Sequence, residues 1–264
     1  MDELSTLQFL IITLIFVWSG FVRSGLGFGG AVLSLPFLLL IQSDPLFFLP
    51  ILAIQLLVFS GMTVIYNLEK ARSKKLAADP KGGTLRPTVD WSYLKYALIV
   101  MIIPKVMGVI GVITLPEDLM AAVIFCIVAV YSVSYILNKP FVSNSRVVDV
   151  IFLVIGGYML GTSLLGAPFV ITVFAQHVDR RQLRDTLFAL WFVLVIIKLA
   201  AFIYAGVDLQ LAQQLWLLPA ATIGHFMGLR FHHYTLQADT KVFYRIIGSV
   251  LLMVSIVGIY QIIR

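Results

Sequence analysis

Three cations set inside apolar segments, together with two glycine-bearing breaks, carry the chemistry this chain can offer. Arg23 opens the run Arg23-Ser24-Gly25-Leu26-Gly27-Phe28-Gly29-Gly30-Ala31, and a second run reads Gly161-Thr162-Ser163-Leu164-Leu165-Gly166-Ala167-Pro168. Each contains Gly-x-x-x-x-Gly-Ala and interrupts an apolar segment. A guanidinium offers a planar fork of donors that suits sulfite, sulfonate or carboxylate. A helix that restarts after a break presents unpaired N–H groups and the positive end of its dipole, where anions bind readily. Pro168 suits such a start because it has no N–H to lose, and Thr162 and Ser163 add hydroxyl donors. The expected substrate-binding residues are therefore Arg23, Ser24, Gly25, Gly27, Gly29, Gly30, Thr162, Ser163, Gly166 and Pro168. The other two cations, Lys105 and Lys198, lie about 21 Å from the basic ends of their segments. They are expected either to line an anion path or to snorkel to the outer interface. The competing reading of Arg23 is a basic residue at a cytoplasmic turn, and that of the glycines is close helix packing.

The same inventory excludes other chemistry. No Asp or Glu lies deep in an apolar segment; Asp149 and Asp185 stand at segment ends. There is no HExxH, no paired-cysteine motif and no Walker A pattern, and Cys126 is the single cysteine. No catalytic residue, metal or cofactor is expected. His225 could carry a proton, although a hydrogen-bonded histidine is the plainer reading. Gln55, Trp191 and Tyr66 are candidates to line a cavity, with core packing as the default for each.

These residues must be positioned by a membrane protein. Of 264 residues, 60% are hydrophobic and 12% charged, against about 25% charged in soluble domains; mean hydropathy is +1.00. The net charge of +6 fits Lys and Arg gathered in cytoplasmic loops, and no nucleic-acid partner is expected. Asp2 and Glu3 precede Leu4–Val22 where a signal peptide would be basic, so this segment is expected to remain in the mature chain.

Apolar runs of about 20 residues give spans at 45–68, 91–115, 119–138, 186–207, 209–229 and 242–263. Loops 69–90, 139–149, 179–185 and 230–241 carry Lys or Arg, whereas the tips at Asp44, Glu117-Asp118 and Asp208 carry none. The first group is expected to be cytoplasmic and the second external, with the N-terminus outside. Segments 4–43 and 150–178 must then each leave and return to one side, as hairpins turning at the glycine breaks with arms of roughly 16 to 20 residues, about 24–30 Å. Residues 1–138 and 139–264 become two inverted repeats, each a broken-helix hairpin plus three spans. The expected fold is an all-α polytopic membrane protein of eight to ten helical segments, a plan that secondary transporters use.

The two breaks, with Pro36 after the first, resemble those of the sulfite exporter TauE/SafE family. The segment Leu218-Pro219-Ala220-Ala221-Thr222-Ile223-Gly224-His225-Phe226-Met227-Gly228-Leu229-Arg230 and the basic stretch before Thr186-Leu187-Phe188 are similar to that family too. The second break departs from the glycine-richer family form at Thr162, Ser163 and Leu164. The resemblance implies transport of a small anion, a sulfur oxyanion or organosulfonate, across a bacterial inner membrane. The expected activity is secondary transport by alternating access. A membrane-embedded enzyme acting on a lipid-linked phosphate and an anion channel are the alternatives. The expected partners are the small anion and the lipid bilayer, with homo-oligomerisation left open.

Overall fold

The computed structural model describes residues 5–26, 30–78, 88–139, 141–235 and 240–264, and every regular element among them is an α-helix. The helices are α1 Thr6–Leu26, α2 Gly30–Ile41, α3 Pro45–Ala78, α4 Trp91–Thr114, α5 Glu117–Ile136, α6 Arg146–Thr162, α7 Ala167–His177, α8 Arg180–Tyr204, α9 Leu211–Thr235 and α10 Thr240–Ile263. Six of them, α1, α3, α4, α5, α8 and α10, contain stretches long and apolar enough to cross a bilayer. The chain is thus an all-α polytopic membrane protein. The expected span over 209–229 is a helix but is not among the six. Gln213, Gln214 and His225 dilute its hydropathy, while α1, read above as a hairpin arm, is itself long enough to cross.

Both glycine breaks interrupt helices. Helix α1 ends at Leu26 and α2 begins at Gly30; α6 ends at Thr162 and α7 begins at Ala167. The arms are unequal, with 21 and 12 residues in the first hairpin and 17 and 11 in the second. At 1.5 Å per residue the returning arms reach only about 18 and about 17 Å, well short of the ~30 Å hydrocarbon core. The expected arms of roughly 16 to 20 residues are corrected because each break falls late in its hairpin, while the hairpins still end close to the expected 43 and 178. Asp44 accepts from the Leu46 N–H and starts α3, and Asp179 accepts from the Arg181 N–H and starts α8.

Two boundaries differ for related reasons. The basic loop expected over 69–90 begins as helix, because α3 runs on to Ala78. Lys, Arg, Leu and Ala are good helix formers in any solvent, so charge ends the apolar span but not the helix. Residues 79–87 of that loop and 236–239 of the loop over 230–241 lie outside the described residues. The second hairpin starts at Arg146, before the expected 150, because the Ser145 side chain caps α6 by accepting from the Val148 N–H.

The largest interfaces are α1–α9, α4–α6, α5–α10 and α3–α8. The first two, α1–α9 and α4–α6, bring backbone against backbone at glycines on both helices. A Cβ added at Gly224 or Gly228 of α9 would strike the Val17 or Phe21 carbonyl of α1, and one at Gly20 would strike the Ala221 carbonyl. Likewise a Cβ at Gly157 or Gly161 of α6 would strike the Met101 or Lys105 carbonyl of α4, and one at Gly108 the Tyr158 carbonyl. Gly224/Gly228 and Gly157/Gly161 each stand four apart, on one helix face, which is the small-residue spacing that lets membrane helices touch backbone to backbone.

The ends of the second hairpin are tied together. Asp149, in the first turn of α6, lies 2.8 Å from Nε2 of His177 in the last turn of α7, and the Ser143 hydroxyl donates to its other oxygen at 2.6 Å. Tyr93 of α4 stacks on the His177 ring at 5.1 Å. Burial pushes the Asp149 carboxyl up, but the Ser143 and His177 hydrogen bonds and the His177 charge outweigh it, holding the carboxyl below the ordinary carboxylate value. A depressed carboxyl stabilises the fold above its unfolded value near 4 and loses that contribution as pH falls through the folded value. Asp149→Asn is therefore expected to cost about 1.5–3 kcal/mol at neutral pH. Melting curves in detergent should show the variant and wild type converging as pH is lowered from 5 to 3. A constant difference across that range would mean the carboxylate charge is not what holds the two arms.

Candidate functional site

Arg23 occupies the last turn of α1 and is 6% exposed. Its Nη1 donates to the Gln55 main-chain carbonyl and its Nη2 to the Ser19 hydroxyl, both at 3.4 Å, and the guanidinium sits 5.0 Å from the Phe59 ring centroid. Those hydrogen bonds are long, and the only ion pair among the described residues is Asp149–His177. The guanidinium is thus buried with no carboxylate partner. The Gln55 side chain is fully buried, and neither its amide oxygen nor its nitrogen has a hydrogen-bond partner among the described residues.

The guanidinium faces a cavity of about 40 Å³ that both breaks line. The first break supplies Arg23, Gly30 and Ala31; the second supplies Leu164 and Ala167; Leu52 and Leu56 of α3, Leu160 of α6, and Phe188 and Trp191 of α8 complete most of the wall. At roughly 10–15 Å³ per water, the space suits a few waters or one small anion. Gly30 and Ala167 are the first residues of α2 and α7, so two helix N-termini meet there with one cation. Gly30 is needed as glycine for a local reason: a Cβ there would press on the Ser19 carbonyl and on the Arg23 side chain. Leu164 adopts φ 61° while buried, a backbone conformation costly for a leucine; such strain gathers at functional sites.

The remaining expected site residues stand behind the wall. Ser24 pairs its hydroxyl with Nδ1 of His225. Gly25 lies 3.8 Å, measured from an added Cβ, from the Gly228 carbonyl, in open packing against α9. Gly27 and Gly29 lie outside the described residues. The Thr162 and Ser163 hydroxyls are buried and donate back to the Met159 carbonyl at 3.2 and 3.1 Å. Gly166 is the N-cap of α7 and packs on the Gly156 carbonyl, and Pro168 occupies the first turn of α7.

Lys105 and Lys198 do not snorkel; both are fully buried. Neither belongs to the cavity wall. Lys105 Nζ donates to the Leu160 carbonyl at 2.7 Å, and Lys198 Nζ donates to those of Gly161 and Thr162 at 2.7 and 3.1 Å. A helix leaves its last four carbonyls without intrahelical partners and ends in a negative dipole. In α6 those carbonyls belong to residues 159–162, and the two ammonium groups take three of them while the Ser163 N–H takes that of Met159. The two lysine Nζ groups therefore satisfy three of the carbonyls at the C-terminal end of α6.

Sequence reasoning missed Ser19 and Phe59, which hold the guanidinium, and the leucines at 52, 56 and 160. The i, i+3, i+4, i+7 spacing of Leu52, Gln55, Leu56 and Phe59 puts them on one face of α3 and was the available signal. A family model described as sulfite exporter TauE/SafE matches residues 12–258. Comparison with the curated proteins and with the solved structures gave no match.

Proposed function

The chain belongs to the sulfite exporter TauE/SafE family, a family of membrane transporters for sulfite and related anions, and we propose that it carries a sulfur oxyanion or organosulfonate by alternating access as a secondary transporter. The observation that carries this reading is Arg23, a cation buried without a carboxylate at a cavity that both breaks line. An uncompensated buried charge is costly, and an anion in the cavity would offset it. The first turns of α2 and α7, at Gly30 and at Gly166 and Ala167, would hold the anion through main-chain N–H groups, with Pro168, which has no N–H to offer, fixing the start of α7. Ser24, Gly25, Thr162 and Ser163 would shape those turns from behind. Lys105 and Lys198 would act through α6, keeping its negative end from cancelling the field.

The inverted repeat, divided between 138 and 139, is part of this reading. Its support is the pattern of interfaces. Exchanging α1–α5 with α6–α10 carries α1–α9 onto α4–α6 and returns α3–α8 and α5–α10 to themselves. The glycine-locked pairs α1–α9 and α4–α6 would each move as one body, taking their hairpin tips with them, while the cavity between the tips opens first to one side and then to the other. The basic loops would face the cytoplasm of a bacterial inner membrane.

Counterflow tests the reading. Purified protein in liposomes loaded with unlabelled sulfite should take up labelled sulfite transiently against its gradient, and trapped ethanesulfonate should compete if sulfonates share the site. Sulfite conductance without counterflow would favour a channel, and the absence of both would remove sulfite from the substrates.

A further inference from the structure

His225 of α9 is in contact with the two elements that hold Arg23. Its Nδ1 meets the hydroxyl of Ser24, the residue that follows Arg23. Its ring stacks on Phe59 at 4.8 Å with 26° between the planes, and the same Phe59 ring carries the Arg23 guanidinium at 5.0 Å. One peptide step on α1 and one phenyl ring on α3 thus join the imidazole to the guanidinium that faces the cavity. The connection is stiff, because Gly224 and Gly228, on either side of His225 along α9, rest directly on the α1 backbone. His225 is half-buried. The charges acting on it are Arg23 of α1 and Arg184 of α8; α3 presents the uncharged Phe59, and α1 also presents the Ser24 hydroxyl.

Histidine is the side chain whose charge ordinarily changes between pH 5 and 8. A proton on His225 places a second positive charge beside Arg23, in a low-dielectric setting where like charges repel strongly. An anion on Arg23 offsets that repulsion, and the proton in turn strengthens the hold on the anion. Coupling of this kind is reciprocal by thermodynamic necessity. The Ser24 hydroxyl can donate or accept, so its contact with the ring survives gain and loss of the proton.

We propose that His225 is the proton-coupling site of this transporter: an anion at Arg23 and a proton at His225 load together from one side and are released together on the other. The proposal rests on the transport reading above and adds the coupling ion to it. One proton is taken up for each anion bound, and both leave at the opposite face, so no other ion is needed for balance.

The test uses the full chain in liposomes with labelled sulfite and compares wild type with His225→Gln, so that sulfite's own protonation affects both equally. Wild type should accumulate sulfite in response to an inward proton gradient, up to about tenfold per pH unit for one coupled proton. His225→Gln should retain counterflow at equal pH, showing a folded and loaded protein, but should lose the accumulation that exceeds the pH partition of sulfite itself. Gradient-driven accumulation equal to wild type in His225→Gln would overturn the proposal, as would loss of counterflow, which would make His225 a binding or folding residue. Wild-type counterflow without any response to the gradient would overturn the coupling alone. Wild type without counterflow would overturn the transport reading and the coupling with it.

Discussion

Arg23→Met is expected to lower sulfite counterflow by two to three orders of magnitude while leaving the fold as heat-stable as wild type or more so. The opposite signs follow from one fact, that the guanidinium is buried with no carboxylate. In the empty protein the charge is a liability: its hydrogen bonds to Ser19 and Gln55 are 3.4 Å long and repay little of the desolvation cost. Replacing a buried charge by an apolar side chain of similar length is often neutral or stabilising by about 1–4 kcal/mol. With the anion present the balance reverses, because removing one member of a buried ion pair costs about 3–5 kcal/mol, and each 1.4 kcal/mol is about tenfold. Arg23→Lys should restore only part of the activity, since an ammonium cannot grip two oxygens in parallel. Thermal shift gives an independent reading: sulfite should raise the melting temperature of wild type by mass action and leave that of Arg23→Met unmoved. A variant that transports normally, or one that melts far below wild type with no ligand present, would make Arg23 a structural residue.

The breaks themselves were legible, because each sets a glycine-bearing stretch inside an apolar run, and both stretches do interrupt helices. The length of the returning arms was not. The hairpins end close to the expected 43 and 178, before Asp44 and Asp179, but each break falls late in its hairpin and leaves only 12 and 11 residues for the returning arm. The lysines show a different limit. A sequence marks Lys105 and Lys198 as cations in apolar surroundings, and for such residues the two obvious fates are an anion or the interface. Their actual partners are main-chain carbonyls of α6, and every residue has one, so side-chain identity gives no hint. The cavity wall was also hidden. Leucines at 52, 56 and 160 look like any lipid-facing or core leucine until the helices that bear them are placed side by side. The glycines carried two meanings at once. Gly30 makes room for a guanidinium, while Gly166 and Gly161 make room for a neighbouring backbone, and the repeated sequence pattern treats them alike.

That second meaning gives the other large effect. Gly224→Ala should destabilise the protein by about 3 kcal/mol or prevent folding, because the new Cβ would meet the Val17 carbonyl and the Phe21 N–H, which are backbone and cannot rotate away. Gly161→Ala should do the same at the Lys105 carbonyl on the α4–α6 side. Gly111→Ala is the internal control. It lies in the same kind of helix, but the nearest atoms to its added Cβ are side-chain atoms of Leu115 and Tyr158 at 3.9 and 4.0 Å. There the ordinary helical gain of alanine over glycine, about 0.5–1 kcal/mol, should be realised. Melting temperatures in one detergent would therefore rise for Gly111→Ala and fall steeply for the other two. If all three moved alike, helix propensity would govern and the backbone contacts would carry no special weight. If only Gly224 and Gly161 were costly, α1–α9 and α4–α6 would each have to behave as one rigid unit. Alternating access would then have to leave those two seams intact and open others, and α3–α8 is the pair that meets both hairpins at the cavity, through Leu52 and Leu56 on one side and Phe188 and Trp191 on the other.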